Sequence, residues 1–247
     1  MGMTYEALER AEKEYEDKTP EISRKPREKA VRPPRRESGG VATDCYEDLK
    51  TNLLGRHPGE DIKTILFSGT AHGDGCSTSA INFASTLAQN CRAKVLLMEA
   101  NLRTPSLHEV FHVEPEQGLS DLLANGTQPA SCIKKVRPEN LYVVTCGTNH
   151  SGPVSLFESD RFGEFLKAMR EKFDYIILDG PPVPSFSESR VICTKVDGVV
   201  LVVHSGKTRE QVALRAKKQL EEAGGKVLGM VLNRRKHYIP KWVYRRL

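Results

Sequence analysis

One stretch in the first half of the chain constrains the fold more than any other, because an apolar run there passes through a glycine-spaced loop into a helix-like segment. Residues 65–67 are apolar, glycines stand at 69, 73 and 75, and a run of small residues begins at Ser77. A strand, a tight loop and a helix joined in this order are the layout of a phosphate-binding loop. We therefore expect a strand that ends at this loop and a helix that begins directly after it.

Strand-like and helix-like segments alternate from Ile62 onward. The apolar runs are short and unbroken, which is typical of parallel strands buried on both faces. We predict an α/β fold in which a mostly parallel sheet has helices on both faces. The predicted strands are 64–68, 94–100, 140–147, 174–180, 197–205 and 226–233, and the predicted helices are 4–18, 44–55, 77–90, 118–126, 161–173 and 209–225.

The loops that follow the predicted parallel strands indicate where a ligand would bind. Ligands of such sheets bind beyond the carboxyl ends of the strands, which all lie at one edge. We expect these loops to form a single pocket, and the sequence offers no second site of comparable quality. The loops are residues 69–75, 99–103, 179–182, 205–208 and 233–234.

Composition and charge exclude some classes of function. The 247 residues carry a net charge of +5, and the excess is local, so nucleic-acid binding is not expected. The stretch from Arg24 to Arg36 is basic and proline-rich, which fits a solvated linker or a segment attracted to an anionic membrane face. The longest apolar runs have the length of strands, and the N-terminus does not resemble a signal peptide. Six cysteines without paired or metal-like spacing favour a cytoplasmic protein with reduced thiols.

The glycine-spaced loop is a candidate anion site. Backbone N–H groups at Gly73, Asp74 and Gly75, continuing into the helix start at Ser77 and Thr78, can surround an anion. The alternative is a tight strand-to-helix turn that binds no ligand.

Asp179 strengthens the first interpretation. It stands at the tip of a strand predicted to be buried, where an unpaired charge is costly. A magnesium ion on a nucleotide phosphate would compensate that charge, with the Ser77 hydroxyl as a second ligand. The alternatives are an aspartate that caps a helix and a partly solvated loop residue.

Four motifs together resemble one protein family. "GDGCST", "VLLMEANLRTP", "FDYIILDGPPV" and "KVLGMVLNRRK" occur in the order and spacing of the bacterial tyrosine kinases of capsule and exopolysaccharide synthesis. The resemblance covers nearly the whole chain and implies a P-loop NTPase-type fold. It also implies three parts: an N-terminal helix with the basic linker at 1–40, a kinase-like domain at 41–235, and a basic aromatic tail at 236–247.

The chain departs from the family pattern at several positions. Cys76 replaces the Walker A lysine, and Glu99 and Asn101 stand where the family has two aspartates, with Arg103 retained. In the helix that the family uses to assemble rings, the positions of a glutamate and two arginines are occupied by Asp44, Glu47 and Lys50. The tyrosine-rich tail is reduced to Tyr238 and Tyr244.

The resemblance assigns a role to each site residue. The cofactors would be ATP and Mg²⁺, both bound weakly or lost. The implied catalytic residues are Asp179, Glu99 and Arg103; the implied nucleotide-binding residues are Gly73, Asp74, Gly75, Cys76, Ser77, Thr78, Asn233 and Arg234; the implied metal ligands are Ser77 and Asp179; and the implied phosphoacceptors are Tyr238 and Tyr244.

Two further readings of single residues stay open. Cys76 at a helix N-terminus could be a redox-sensitive thiol, because that position lowers a thiol pKa, or it could simply fill a small space. The tail after Arg235 could contact a membrane, or it could pack its aromatic side chains on the domain.

The sequence leads to three functional hypotheses. The first is a family member with weakened nucleotide binding and impaired catalysis, peripheral at the inner face of the cell membrane, that acts with a membrane-spanning activator of polysaccharide synthesis. The second is an active ATP-dependent tyrosine autokinase. The third is a partitioning or septum-positioning ATPase, which the uncharged or at most weakly basic residues Thr70, Ala71 and His72 disfavour, because that class has a lysine early in the loop. A homo-oligomer is compatible with the first two.

Overall fold

The structure, a computed structural model, describes residues 41–148 and 152–235. All of these residues belong to one compact unit. The predicted helix 4–18, the basic stretch 24–36 and the tail tyrosines Tyr238 and Tyr244 lie outside the described residues. The predicted boundaries at 40/41 and 235/236 therefore stay predictions.

A sheet of seven strands forms the centre of the domain. The strand order is β3-β4-β2-β5-β1-β6-β7, and all neighbours are parallel except β3, which pairs antiparallel with β4. The predicted α/β fold with a mostly parallel sheet is thereby confirmed. The strands are β1 Thr64–Gly69, β2 Val95–Glu99, β3 Lys134–Lys135, β4 Leu141–Val144, β5 Tyr175–Asp179, β6 Gly198–His204 and β7 Val227–Asn233.

Nine helices accompany the sheet in the described part of the chain. Five of them match predicted helices to within a few residues, namely α1, α2, α4, α7 and α9. No helix in this part is long and apolar enough to cross a membrane. The helices are α1 Val41–Gly55, α2 Cys76–Asn90, α3 Leu107–Phe111, α4 Leu119–Asn125, α5 Pro129–Cys132, α6 Pro153–Glu158, α7 Asp160–Arg170, α8 Glu188–Ile192 and α9 Glu210–Glu222.

Two apolar clusters cover the two faces of the sheet. Successive residues of β2 alternate between them, so that Leu97 joins the cluster beneath α1 and α2 while Leu96 joins the cluster beneath α4, α7 and α9. Because both faces are buried, the inner strands need apolar residues at every position, which explains their unbroken apolar runs. The predicted coverage of both faces by helices is confirmed.

The parallel arrangement brings the carboxyl ends of β1, β2, β5, β6 and β7 to one edge of the sheet. β1 and β5 are direct neighbours, and Phe67 of β1 is paired with Asp179 of β5. The glycine-spaced loop after β1 and the carboxylate at the end of β5 therefore lie side by side. Glu99 at the end of β2 is paired with Asp179 from the other side.

Candidate functional site

The loop between β1 and α2 is fastened from within by a buried carboxylate. Asp74 Oδ2 accepts hydrogen bonds from Thr70 N at 3.0 Å, Thr70 Oγ1 at 2.6 Å and Ala71 N at 2.8 Å. Gly73 and Gly75 both have a left-handed backbone, with φ near 88°, a conformation that glycine adopts without steric cost. The loop is therefore held in one shape by its own residues, while its remaining N–H groups and the first turn of α2 are available to an anion.

The end of β7 lies directly over this loop. A Cβ atom built on Gly75 would lie only 2.1 Å from Asn233 Nδ2 and 3.9 Å from Arg234 Nε, so Gly75 leaves no room for a side chain. Asn233 Nδ2 donates to the carbonyl oxygen of Asp74 at 2.9 Å. The structure thus brings Asn233 and Arg234, the two residues predicted from the "KVLGMVLNRRK" motif, next to the predicted loop.

Asp179 is the most unusual group of the site. Its side chain is only 1% exposed, and its Oδ1 has no hydrogen-bond partner among residues 41–148 and 152–235. Burial raises the pKa of Asp179 to about 7; a hydrogen bond from Ser77 opposes this rise, and the nearby carboxylate of Glu99 adds to it.

An unpartnered buried oxygen beside a hydroxyl fits a magnesium ion that takes its other ligands from phosphate and water. Asp179 and Ser77 are the protein ligands available for such an ion. In the described residues, no group of three or more His, Cys, Asp or Glu side chains could hold a metal ion by itself.

Cys76 does not extend toward an anion in the loop. Its thiol donates a long hydrogen bond, 3.7 Å, to the carbonyl oxygen of Gly180, the residue after Asp179. Burial, followed by the negative charge of Asp179, raises the pKa of Cys76 well above its ordinary value. Of the two interpretations of Cys76, the raised pKa favours a thiol that fills a small space over a redox-sensitive thiol, because burial and the neighbouring carboxylate oppose the effect of the helix N-terminus. The thiol is neutral and supplies no charge.

Glu99 is fully occupied by backbone amides. Its Oε1 accepts from Ser106 N and from Leu107 N at 2.8 Å, where it caps the start of α3, and its Oε2 accepts from Cys146 N at 3.1 Å. The side chain is 0% exposed. This arrangement favours a structural role for Glu99 over the catalytic role that the resemblance implied.

Arg103 contacts two residues that the sequence analysis did not identify. Its Nε donates to Glu188 Oε1 at 2.8 Å, and its guanidinium lies 4.6 Å from the ring centre of Phe186. Glu188 is 1% exposed, and its Oε2 has no partner in the described chain. Glu188 lies in a five-residue helix without a periodic pattern, so the sequence carried no signal for the pair. Nearby, the Asn101 amide donates to Thr104 Oγ1 at 2.8 Å.

The structure therefore brings most of the predicted site together. The loop, Ser77, Asp179, Asn233 and Arg234 form one cluster at the carboxyl edge. Thr78 lies in the first turn of α2 with an exposed side chain.

A separate cavity of about 990 Å³ adjoins α2 away from these residues. It is lined by Ile81, Val110, Phe111 and Val136 among others, and by none of the predicted site residues. This cavity lies outside the five loops that we expect to form one pocket, and Lys135, Arg137 and Glu139 also line it.

Comparisons with known proteins agree with this geometry. The family model described as an AAA domain matches residues 62–222. The chain is 30% identical over 200 residues to the tyrosine-protein kinase YwqD of Bacillus subtilis, covering 81% of this chain and 84% of that protein. It is 31% identical over 194 residues to the tyrosine-protein kinase CpsD of Streptococcus pneumoniae, covering 78% and 84%.

Solved structures also superpose on this chain. The chimerical protein CapA2B2 superposes with a TM-score of 0.77 at 27% identity, covering 82% of this chain and 88% of that one. The kinase domain of the Escherichia coli tyrosine kinase ETK superposes with a TM-score of 0.74 at 25% identity, covering 80% and 79%. The cell division ATPase MinD of Pyrococcus furiosus shares the fold at 23% identity, with a TM-score of 0.60 and coverage of 74% and 78%.

Proposed function

The chain belongs to the bacterial tyrosine-kinase family of capsule and exopolysaccharide synthesis, and from this membership we propose that it is a member with weakened nucleotide binding and impaired catalysis. It acts with a membrane-spanning activator, at the inner face of the cell membrane, to regulate the chain length or export of a polysaccharide. The observation that carries the proposal is the combination of a retained, buried Asp179, whose Oδ1 has no hydrogen-bond partner in the described residues, with a neutral Cys76 in place of the lysine.

The residues that remain support binding. Loop N–H groups around Gly73 and Gly75 can donate hydrogen bonds to the phosphates, and Ser77 and Asp179 can hold Mg²⁺. Bound magnesium would neutralise phosphate charge and orient the transferred group. Since none of these contacts involves the lysine position, we expect ATP and ADP to bind, but with lower affinity than in relatives that carry the lysine.

The residues that changed weaken catalysis. Phosphoryl transfer depends mainly on positioning and charge neutralisation, so a lysine at position 76 would act chiefly on the transition state. Losing about 3–5 kcal/mol of such stabilisation slows a reaction by about 10²–10⁴-fold. Asn101 lacks the family's carboxylate, and the carboxylate of Glu99 is bound by three amides, so neither replaces the missing group.

The second candidate, an active autokinase, draws support from Arg103. Its guanidinium is held in place by Glu188 and Phe186, which is the kind of anchoring that a group used at a reaction centre requires. Under this hypothesis Asp179 binds the metal ion and Tyr238 or Tyr244 accepts the phosphate. The partitioning ATPase remains the third candidate, and only the shared fold supports it.

One experiment separates the first two candidates. The purified protein is incubated with Mg²⁺ and labelled ATP, with and without the cytoplasmic segment of a candidate membrane partner, and phosphorylation of Tyr238 and Tyr244 is quantified. We expect ATP binding with little phosphate transfer in wild type, and no magnesium-dependent binding in Asp179→Asn. Rapid phosphorylation of either tyrosine in the wild-type protein would instead establish the active kinase.

A further inference from the structure

β7 carries an apolar surface that nothing in the described part of the chain covers. It is the last strand of the sheet and has no strand neighbour on its outer side among residues 41–148 and 152–235. Met230 is paired with Leu201 of β6, and Leu232 is paired with Val203. Paired residues of a parallel ladder stand on the same face of the sheet. Met230 and Leu232, here called the β7 patch, therefore continue the apolar surface that β6 begins.

The exposure of these side chains changes abruptly from β6 to β7. Leu201 and Val203 are 0% and 4% exposed, within the cluster beneath α4, α7 and α9. Met230 and Leu232 are 40% and 66% exposed. Of the large apolar side chains that the structure describes, two others are exposed, and both belong to α9, which contacts β7, namely Val212 and Leu214. The exposed apolar groups are thus confined to these two neighbouring elements, as on a surface that another segment covers.

The tail, residues 236–247, is the segment best placed to cover the β7 patch. An open strand edge with exposed apolar side chains tends to pair with other chains, and proteins commonly cover such an edge with a loop or a helix. Only two residues separate the tail from the end of β7, and its apolar side chains include Ile239, Trp242 and Val243. Twelve extended residues reach about 40 Å, whereas the seven residues of β7 span about 23 Å, so the tail is long enough.

The chain changes direction just before the tail begins. The carbonyl oxygen of Asn233 still accepts a hydrogen bond from Ser205 N at 2.9 Å. Arg234, the next residue, has a left-handed backbone with φ of 56°, and its N–H donates to Asn233 Oδ1 at 2.8 Å. A left-handed residue ends the extended course of a strand. Because the β7 patch precedes this turn, a tail that covers the patch runs back along β7, away from the carboxyl edge.

We propose that the tail packs on the β7 patch of its own chain. Ile239, Trp242 and Val243 supply the apolar contacts, and the basic residues of the tail stay in solvent. Of the two interpretations of the tail that the sequence left open, this one selects contact with the domain. The packed tail shields the open strand edge from other chains and holds Tyr244 away from the glycine-spaced loop. The inference does not depend on nucleotide binding.

The fluorescence of Trp242 tests the proposal, because it is the only tryptophan of the 247 residues. In the wild-type protein we expect emission at a shorter wavelength than that of free tryptophan in the same buffer, since the packed indole is in apolar surroundings. Leu232→Gln should move the emission toward that of free tryptophan. Leu232 is exposed, so this variant should keep its fold, which circular dichroism checks.

Val110→Gln is the matched control. Val110 and Val136 line the cavity of about 990 Å³, which lies beside β3 at the opposite end of the sheet from β7. The variant introduces the same polar side chain on a different apolar surface of the domain. It should leave the emission of Trp242 unchanged.

Limited proteolysis with trypsin gives a second measurement, because the tail contains basic residues that trypsin recognises, among them Lys236 and Lys241. Cleavage follows the population of molecules whose tail is unpacked. We therefore expect Leu232→Gln to accelerate cleavage within the tail by about tenfold, and Val110→Gln to leave the rate unchanged. Mass spectrometry identifies the cleaved bonds.

Several outcomes would overturn the inference. Wild-type emission equal to that of free tryptophan would show that the tail is in solvent, and a shift only after vesicles of anionic phospholipid are added would make it a membrane contact. Emission that Leu232→Gln does not move would place Trp242 elsewhere, and an effect of Val110→Gln would locate it in the cavity. Emission that changes with protein concentration, together with the molar mass from light scattering, would assign the β7 patch to a second copy of the chain.

Discussion

At the scale of single residues, the protonation of Asp179 is coupled to folding. Its pKa of about 7 in the folded protein lies above the ordinary 3.8, so folding favours the protonated carboxyl. The stability from that proton is complete below pH 4 and is lost as the pH rises through 7. Without Mg²⁺, we expect Asp179→Asn to melt at a higher temperature than wild type at pH 8, and the difference to shrink toward pH 5.

Thermal denaturation at pH 5, 6, 7 and 8 measures this effect, whose upper limit is about 4 kcal/mol for a pKa rise of this size. Adding Mg²⁺ and ATP provides the control, because ligand should stabilise wild type and not Asp179→Asn. A difference in melting temperature that stays constant from pH 5 to pH 8 would contradict the assignment of the raised pKa.

A second residue-scale prediction concerns the lost lysine. Cys76→Lys should tighten binding of ATP with Mg²⁺ by about 10- to 100-fold, because an ammonium replaces a neutral thiol beside the phosphates. Calorimetry measures the change, and Cys76→Ala, which removes the thiol without adding charge, should leave the affinity nearly unchanged. Equal gains in both variants would show that the bulk of the thiol, and not a missing charge, limits binding.

Cys76→Lys alone should not restore autophosphorylation, because Asn101 still lacks a carboxylate and its amide is bonded to Thr104. Adding Asn101→Asp should raise the rate by more than the product of the separate effects, since residues that act as a unit are non-additive. Turnover of the single and double variants measures this. Glu99→Asp would restore the family's first aspartate, but it should also destabilise the fold. The shorter side chain withdraws from the three amides that Glu99 binds.

At the scale of secondary-structure elements, Glu99 connects the end of β2 to the start of α3 and to the loop after β4. Glu99→Ala leaves the N–H groups of Ser106, Leu107 and Cys146 without their acceptor, so we expect a loss of about 2–5 kcal/mol in the free energy of unfolding. Urea denaturation measures the loss. Hydrogen exchange should accelerate first at these three amides. Asn101→Ala is the neighbouring control and should cost about 1 kcal/mol.

The elements that the sequence predicted and those it missed differ in how they are stabilised. Helices such as α7 and α9 were predicted because each is long enough to repeat an apolar face. Short elements have no such repeat. α8 begins where Ser189 Oγ bonds the carbonyl oxygen of Pro181 at 2.6 Å, and β3 exists because two residues pair with β4. Contacts of this kind depend on tertiary structure, which the local sequence does not encode.

At the scale of the whole molecule, the sequence indicated a parallel sheet but not the order of its strands. β5 lies between β1 and β2, although it follows both by many residues. That order places Asp179 beside the loop and beside Glu99. The ligand edge could still be predicted, because all parallel strands end at the same side whatever their order. The Arg103–Glu188 pair could not, since it depends on the order itself.

The last prediction concerns assembly. The resemblance implies rings in which arginines of one protomer's first helix meet acidic groups of the next. Here Glu47 accepts a hydrogen bond from Asn90 of its own chain, and Lys50 Nζ donates to Cys91 Sγ at 3.0 Å. Both side chains are thus used within the protomer, and Glu47 would meet an acidic neighbour with like charge. We therefore expect a monomer or dimer at moderate salt, measured by light scattering.

Glu47→Arg restores the positive charge at the central position and should shift the population toward larger assemblies, most strongly at low salt because the new contact is an exposed ion pair. Glu47→Gln is the matched control, since it removes the repulsion without adding attraction, and it should stay small. A discrete closed ring formed by the wild-type protein would contradict the prediction. It would mean that the surfaces between protomers associate without the charge pairs, so that the reversal at Glu47 is tolerated by the assembly as a whole.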